Sequence, residues 1–108
     1  MAVREDIVAQ IRQMIALDPR ITEKRMFGGI CFLLDGKILA SARRTGTLML
    51  QVGAGSAAEA VKQPGVAYMQ MKGKSTPNFI DVDLGLVETE EDLKRWIGIA
   101  ERYVAAKA

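Results

Sequence analysis

Lys24-Arg25-Met26-Phe27-Gly28-Gly29-Ile30-Cys31-Phe32-Leu33-Leu34-Asp35-Gly36-Lys37-Ile38-Leu39-Ala40-Ser41-Ala42 sets two apolar runs on either side of an Asp-Gly pair. Asp-Gly is a strong two-residue hairpin signal, because a type I′ turn needs positive φ at both central positions. The stretch therefore predicts two antiparallel strands, about 25–34 and 37–42. Inside the first run, Gly28-Gly29 predicts a bulge that bends a long strand, in preference to a place where a ligand meets bare backbone.

On the N-terminal side, Ile7, Val8, Ile11, Met14 and Ile15 fall at helical spacing between Arg4 and Leu17. Asp18-Pro19 ends that helix, since the residue before proline avoids the α region. On the C-terminal side, Arg43-Arg44-Thr45-Gly46 reads as a turn into a third strand, Thr47 to Val52. There Leu48, Leu50 and Val52 share one face, and Met49 and Gln51 the other. Ser56-Ala57-Ala58-Glu59 has capping-box spacing, which predicts a short helix to about Gln63 before Pro64-Gly65 breaks it. Two strands follow, Val66 to Met71 and Asn78 to Leu84, the second alternating Ile80, Val82 and Leu84 against Phe79, Asp81 and Asp83. Thr89 then caps a last helix whose stripe is Leu93, Trp96, Ile97, Ala100 and Val104. The order α-β-β-β-α-β-β-α predicts an α+β two-layer sandwich, an antiparallel sheet of about five strands with its helices on one face.

The 108 residues suit one domain over 1–108. Cys31 is the sole cysteine, so no internal disulfide can form. With a charged helix beginning almost at Met1 in place of a signal peptide, this leads to the expectation of a reducing cytoplasm. No apolar run approaches the roughly 18 residues of a bilayer span, so no membrane partner is expected. Histidine is absent, which removes the commonest general base and transition-metal ligand. No catalytic residue, metal or cofactor is expected.

Gly53-Ala54-Gly55-Ser56-Ala57-Ala58 follows a strand and opens a helix, as a dinucleotide fingerprint would. A hairpin meander before it, a short helix and no acid about 20 residues on favour a plain turn and cap. Cys31 lies in an unbroken apolar run, which favours a core thiol over a nucleophile. The acids from Glu88 to Asp92 fit a helix start better than a metal cluster. Six methionines favour core filling over a partner groove. Three basic pairs, Lys24-Arg25, Arg43-Arg44 and Lys72/Lys74, sit at expected strand ends and are the candidate contacts for phosphates or an acidic partner. The net charge of +2 is too small to make nucleic acid the favoured partner.

Met26-Phe27-Gly28-Gly29-Ile30-Cys31-Phe32-Leu33-Leu34-Asp35-Gly36-Lys37, then Leu48-Met49-Leu50-Gln51-Val52-Gly53, Pro64-Gly65 and Leu93-Lys94-Arg95-Trp96, resemble the TfoX N-terminal domain family in order and spacing. The resemblance implies a secretion-chaperone-like α+β fold shared with the YgaC group. It also implies a regulatory role linked to competence or transcription, and it assigns no catalytic or ligand residues. The expectation is a non-catalytic domain acting through protein contacts, a homodimer among them. The alternatives are a weak, non-specific nucleic-acid-associated regulator and a small-molecule-binding or enzymatic domain with a pocket between sheet and helices.

Overall fold

The computed structural model describes residues 5–15, 18–26, 29–71 and 73–107, with all their side chains except those of Met71, Lys74 and Ser75. Helix α1 (Glu5–Ile15) leads into four strands, β1 (Ile21–Met26), β2 (Gly29–Leu34), β3 (Lys37–Arg43) and β4 (Thr47–Gln51). Helix α2 (Ala54–Ala60), strands β5 (Val66–Met71) and β6 (Lys74–Asp83), a 3-10 turn (Leu84–Leu86) and helix α3 (Glu90–Lys107) complete the chain. The architecture is α+β, and its one sheet has the strand order β1-β2-β3-β4-β6-β5 with antiparallel neighbours throughout.

The Asp-Gly hairpin forms as expected: Leu34 pairs with Lys37, and Asp35 and Gly36 take φ of 49° and 81°. The long first strand does not. It is two strands, because the chain reverses so that Met26 pairs with Gly29 and Ile21 with Leu34. The alternation in Ile21-Thr22-Glu23-Lys24-Arg25-Met26 is polar on both faces, as an edge strand permits, so hydrophobic pattern alone could not reveal it. The expected bulge at Gly28-Gly29 is thereby replaced by a strand boundary, and Gly28 itself lies outside the described residues. The irregularity falls instead between Phe32 and Leu33, where Leu39 is the extra residue on β3.

β6 begins at Lys74, earlier than the apolar alternation predicts, because Lys74 and Ser75 pair with Met71 and Gln70. The register then jumps to Ile80 opposite Tyr68, and the intervening stretch contains Pro77, which has no ladder donor to give. Helix α2 starts at Ala54 with Gly53 at its N-cap and no side-chain cap bond, so the Ser56 capping box does not form. Thr89 does cap α3, its Oγ1 accepting from the Asp92 N–H at 3.0 Å.

Buried residues of all three helices meet the sheet in one cluster. Ile7, Val8, Ile11, Ala57, Leu93, Trp96, Ile97 and Val104 pack with Phe32, Leu34, Leu48, Leu50, Ile80 and Val82. Burying side chains of this size contributes roughly 1.5–3 kcal/mol each, which explains why a domain with no staple folds. Trp96 is 2 % exposed, as its place in the α3 stripe predicts.

Candidate functional site

The face of the sheet away from the helix-side core is set by register. Cys31 pairs with Ser41, Ser41 with Met49 and Met49 with Asp81, and Lys24 stands opposite Cys31, so the five make one cross-strand row. Its middle is closed, with Cys31, Ser41 and Met49 fully buried. Burial pushes the Cys31 thiol up to about 11, and it makes a weak polar contact to the Phe32 carbonyl at 4.0 Å. Among the described residues the Ser41 hydroxyl has no hydrogen-bond partner. A protonated thiol and a serine with no base beside it are poor nucleophiles.

At Asp81 this row joins a polar cluster. Arg43 Nη1 meets Asp81 Oδ2 at 2.7 Å, and Thr47 Oγ1 donates to Asp81 Oδ1 at 3.1 Å. The two charged side chains are 19 % and 17 % exposed, and Thr45 extends the network to Thr47 at 3.0 Å. Asp81 is thus engaged on both oxygens and is placed to hold strands together. Sequence reasoning missed this pairing. The alternation Phe79-x-Asp81-x-Asp83 put an acid on the wet face of β6, but nothing local said that Arg43, on a strand separated from it by β4, would reach it.

Of the six basic candidates, the five that are described do not all lie at one end of the sheet. Lys24 and Arg25 are exposed on β1 and, being consecutive in a strand, face opposite sides of the sheet. Arg25 shares its side with Glu23, which α1 claims through two bonds from Arg12, 3.0 and 2.8 Å long. The hydrogen bond from Arg12 holds the Glu23 carboxyl below its ordinary range. Arg43 ends β3 and is committed to Asp81, and Arg44 is exposed in the turn that follows. Because Gly29 pairs with both Met26 and Arg43, these four residues lie toward the same end of the sheet. Lys74 starts β6 at the opposite end from Asp83, which pairs with Thr47 beside the Arg43-Arg44 turn. Lys72 lies outside the described residues.

The glycine-rich turn uses two of its amides within the fold. The amides of Val52 and Gly53 both donate to the Asn78 carbonyl, at 2.9 and 3.1 Å, and α2 is only seven residues long. The meander expected before this turn is present, β2, β3 and β4 being successive antiparallel neighbours, but β4, α2 and β5 also form a split crossover with β6 between the two strands. Among the described residues, no group of three or more metal-ligating side chains comes together.

The two edges of the sheet differ in kind. β1 exposes Glu23, Lys24 and Arg25, whereas β5, Val66-Ala67-Tyr68-Met69-Gln70-Met71, carries no charge. The Asp83 N–H donates to Gly65 O at 2.8 Å, so the alternation of an antiparallel pair turns the Tyr68 N–H and C=O away from β6.

No helix is long and apolar enough to cross a membrane among the described residues. No curated protein sequence matches the chain closely enough to count as a relative. A family model does match, over residues 12–103, from the middle of α1 to near the end of α3, and it spans the hairpin, the glycine turn and the tryptophan of α3. The chain belongs to the TfoX N-terminal domain family.

Proposed function

We propose that this domain is a non-catalytic regulatory module that works by protein contact, made by adding a strand to the β5 edge of its sheet. The contrast between the two edges carries this reading. Exposed charges on β1 are a device by which sheets refuse further strands, and β5, rich in β-forming residues, lacks it. Strand addition gains affinity from main-chain bonds and specificity from alternate side chains. The simplest partner is a second copy, β5 against β5 about a two-fold axis, which closes the assembly as a dimer. Membership of the TfoX N-terminal domain family supports a regulatory setting, with competence or transcription as the process served. The single buried thiol supports a reducing, cytoplasmic one.

The test is sedimentation of the full chain over a wide concentration range beside an Ala67→Lys variant, which puts a charge on an exposed position of β5. The wild type is expected to self-associate with concentration and the variant to stay monomeric. A wild type that remains a strict monomer at high micromolar concentration, and that retains from a host extract the same proteins as the variant, contradicts the proposal.

A further inference from the structure

β5 stays regular along its free side although its neighbour does not. Between the pairs Tyr68–Ile80 and Gln70–Ser75, β5 passes one residue and β6 passes four. Thr76 Oγ1 donates to the Met69 carbonyl at 3.0 Å, so Met69 still faces β6 and the alternation of β5 runs through the irregularity. Gly65, Ala67 and Met69 therefore turn main-chain groups toward β6, and Val66 and Tyr68 turn theirs outward. The Val66 N–H is already bonded to the Gln63 carbonyl at 3.2 Å. Among residues 66–69, Tyr68 is left as the one that offers both a donor and an acceptor to an added strand.

A second copy that meets this edge about a two-fold axis runs antiparallel to it, and the residue on the axis faces its own counterpart. With Tyr68 on the axis, each Tyr68 N–H donates to the other Tyr68 carbonyl, so two bonds form and neither group is wasted. With Ala67 on the axis, Tyr68 would face Val66, whose N–H is taken, and each Tyr68 carbonyl would lack its donor. With Met69 on the axis, Tyr68 would face Gln70, a residue already engaged within the fold. The hydrogen-bond pattern thus selects one register out of three.

Resting on the reading of β5 as the open edge, we infer that two copies join β5 to β5 with Tyr68 on the two-fold axis, so that one antiparallel sheet runs through both. Tyr68 is half-buried against the helix-side core, and its ring becomes the neighbour of the other Tyr68 ring across the axis, an aromatic cross-strand pair. On the opposite face the small, exposed Ala67 stands across from Met69 of the second copy. The helix layer leaves room for this. α2 packs mainly on β6, one strand in from the edge. The two α2 helices then lie three strand spacings apart, about 14 Å. That exceeds the roughly 8–10 Å of helices in contact, and the two tyrosines occupy the gap.

The experiment oxidises the full chain carrying Tyr68→Cys or Ala67→Cys, with the wild type as control, since Cys31 is buried and should not cross-link. In this register the two residues 68 face each other at a Cα separation of about 5.5 Å. That lies inside the range of about 4.4–6.8 Å that a disulfide spans. The two residues 67 are offset by two positions, beyond the limit of about 7 Å. Tyr68→Cys is therefore expected to give a covalent dimer, and Ala67→Cys and the wild type none. Because Tyr68→Cys removes a ring from the contact, an equal mixture of ¹³C-labelled and unlabelled wild type supplies a second measurement. There an intermolecular NOE is expected between the Hα atoms of Ala67 and Met69, which this register sets opposite each other. That NOE decides the matter should the cysteine variant fail to associate. A wild type that dimerises in sedimentation while Ala67→Cys is the variant that cross-links, or while the Ala67–Met69 NOE is absent, overturns the Tyr68 register and leaves strand addition standing. A wild type that stays monomeric at high micromolar concentration overturns the pairing of two copies, and the host proteins it retains beside Ala67→Lys then decide the edge itself.

Discussion

A β-carbon on Gly29 would stand 2.0 Å from the carbonyl oxygen of Ala42, on the neighbouring strand. The obstacle is backbone, and so are the next nearest atoms, Ala42 C at 2.8 Å and Arg43 Cα at 2.9 Å, so no side-chain rotation relieves it. The second glycine of the Met-Phe-Gly-Gly motif is there because β2 and β3 approach too closely for anything larger. Gly29→Ala should destabilise the domain by about 2–3 kcal/mol, the range of overpacking a site that cannot yield. Urea unfolding measures it, and an unchanged midpoint would refute the close approach.

The Arg43–Asp81 pair spans β4 and is largely withdrawn from water, so it is expected to couple more strongly than the exposed pairs on α3. A double-mutant cycle with Arg43→Ala and Asp81→Ala should give a coupling of about 1 kcal/mol, at the upper end for partly exposed pairs. The same cycle on Lys94 and Glu90 should give about 0.3–0.5 kcal/mol. Equal values for the two would mean that burial adds nothing at Asp81.

Cys31 should be inert toward thiol reagents at neutral pH in the folded protein and react at the rate of unfolding. Its folded-state value, raised by burial from 9.0 to about 11, also fixes a sign. The unfolded thiol loses its proton first, so the stability that Cys31 contributes is complete below pH 9 and is lost as pH rises toward 11. Cys31→Ala should flatten the stability profile across that window. Fast modification of the native chain, or an identical profile in the variant, would show the thiol to be accessible.

Any binding of duplex DNA through Arg43, Arg44, Lys72 and Lys74 should be sequence-independent, steeply salt-dependent and near the non-specific range of about 10⁻⁴ to 10⁻⁶ M at physiological salt. The opposite ends occupied by Arg44 and Lys74, and the engagement of Arg43 by Asp81, give no concentrated patch. Titration of labelled duplex at two salt concentrations, with a variant carrying alanine at all four positions, checks this. Tight binding of one sequence would contradict it.

The hairpin at Asp35-Gly36, the Thr89 cap and the burial of Trp96 were legible because each rests on local rules: a turn that needs positive φ, a hydroxyl before acids, a helical stripe. β1 was not, because an edge strand polar on both faces has no period to read. The start of α2 was missed for a related reason. A glycine with φ of 86° serves as N-cap there with no side-chain signature, while a well-spaced Ser-Glu pair nearby goes unused. The Arg43–Asp81 pair depends on a contact between elements, which only the packed chain displays.

The central claim is that β5 is the edge at which partners add. Amide hydrogen exchange of the Tyr68 N–H, the outward-facing donor of β5, tests it most directly when measured at low and high protein concentration. Tyr68 is expected to exchange rapidly in dilute protein and to gain protection as concentration rises, with the amides of Thr22 to Arg25 on β1 unchanged. A Tyr68 amide whose exchange is the same at both concentrations, or protection that appears on β1 instead, would contradict the account.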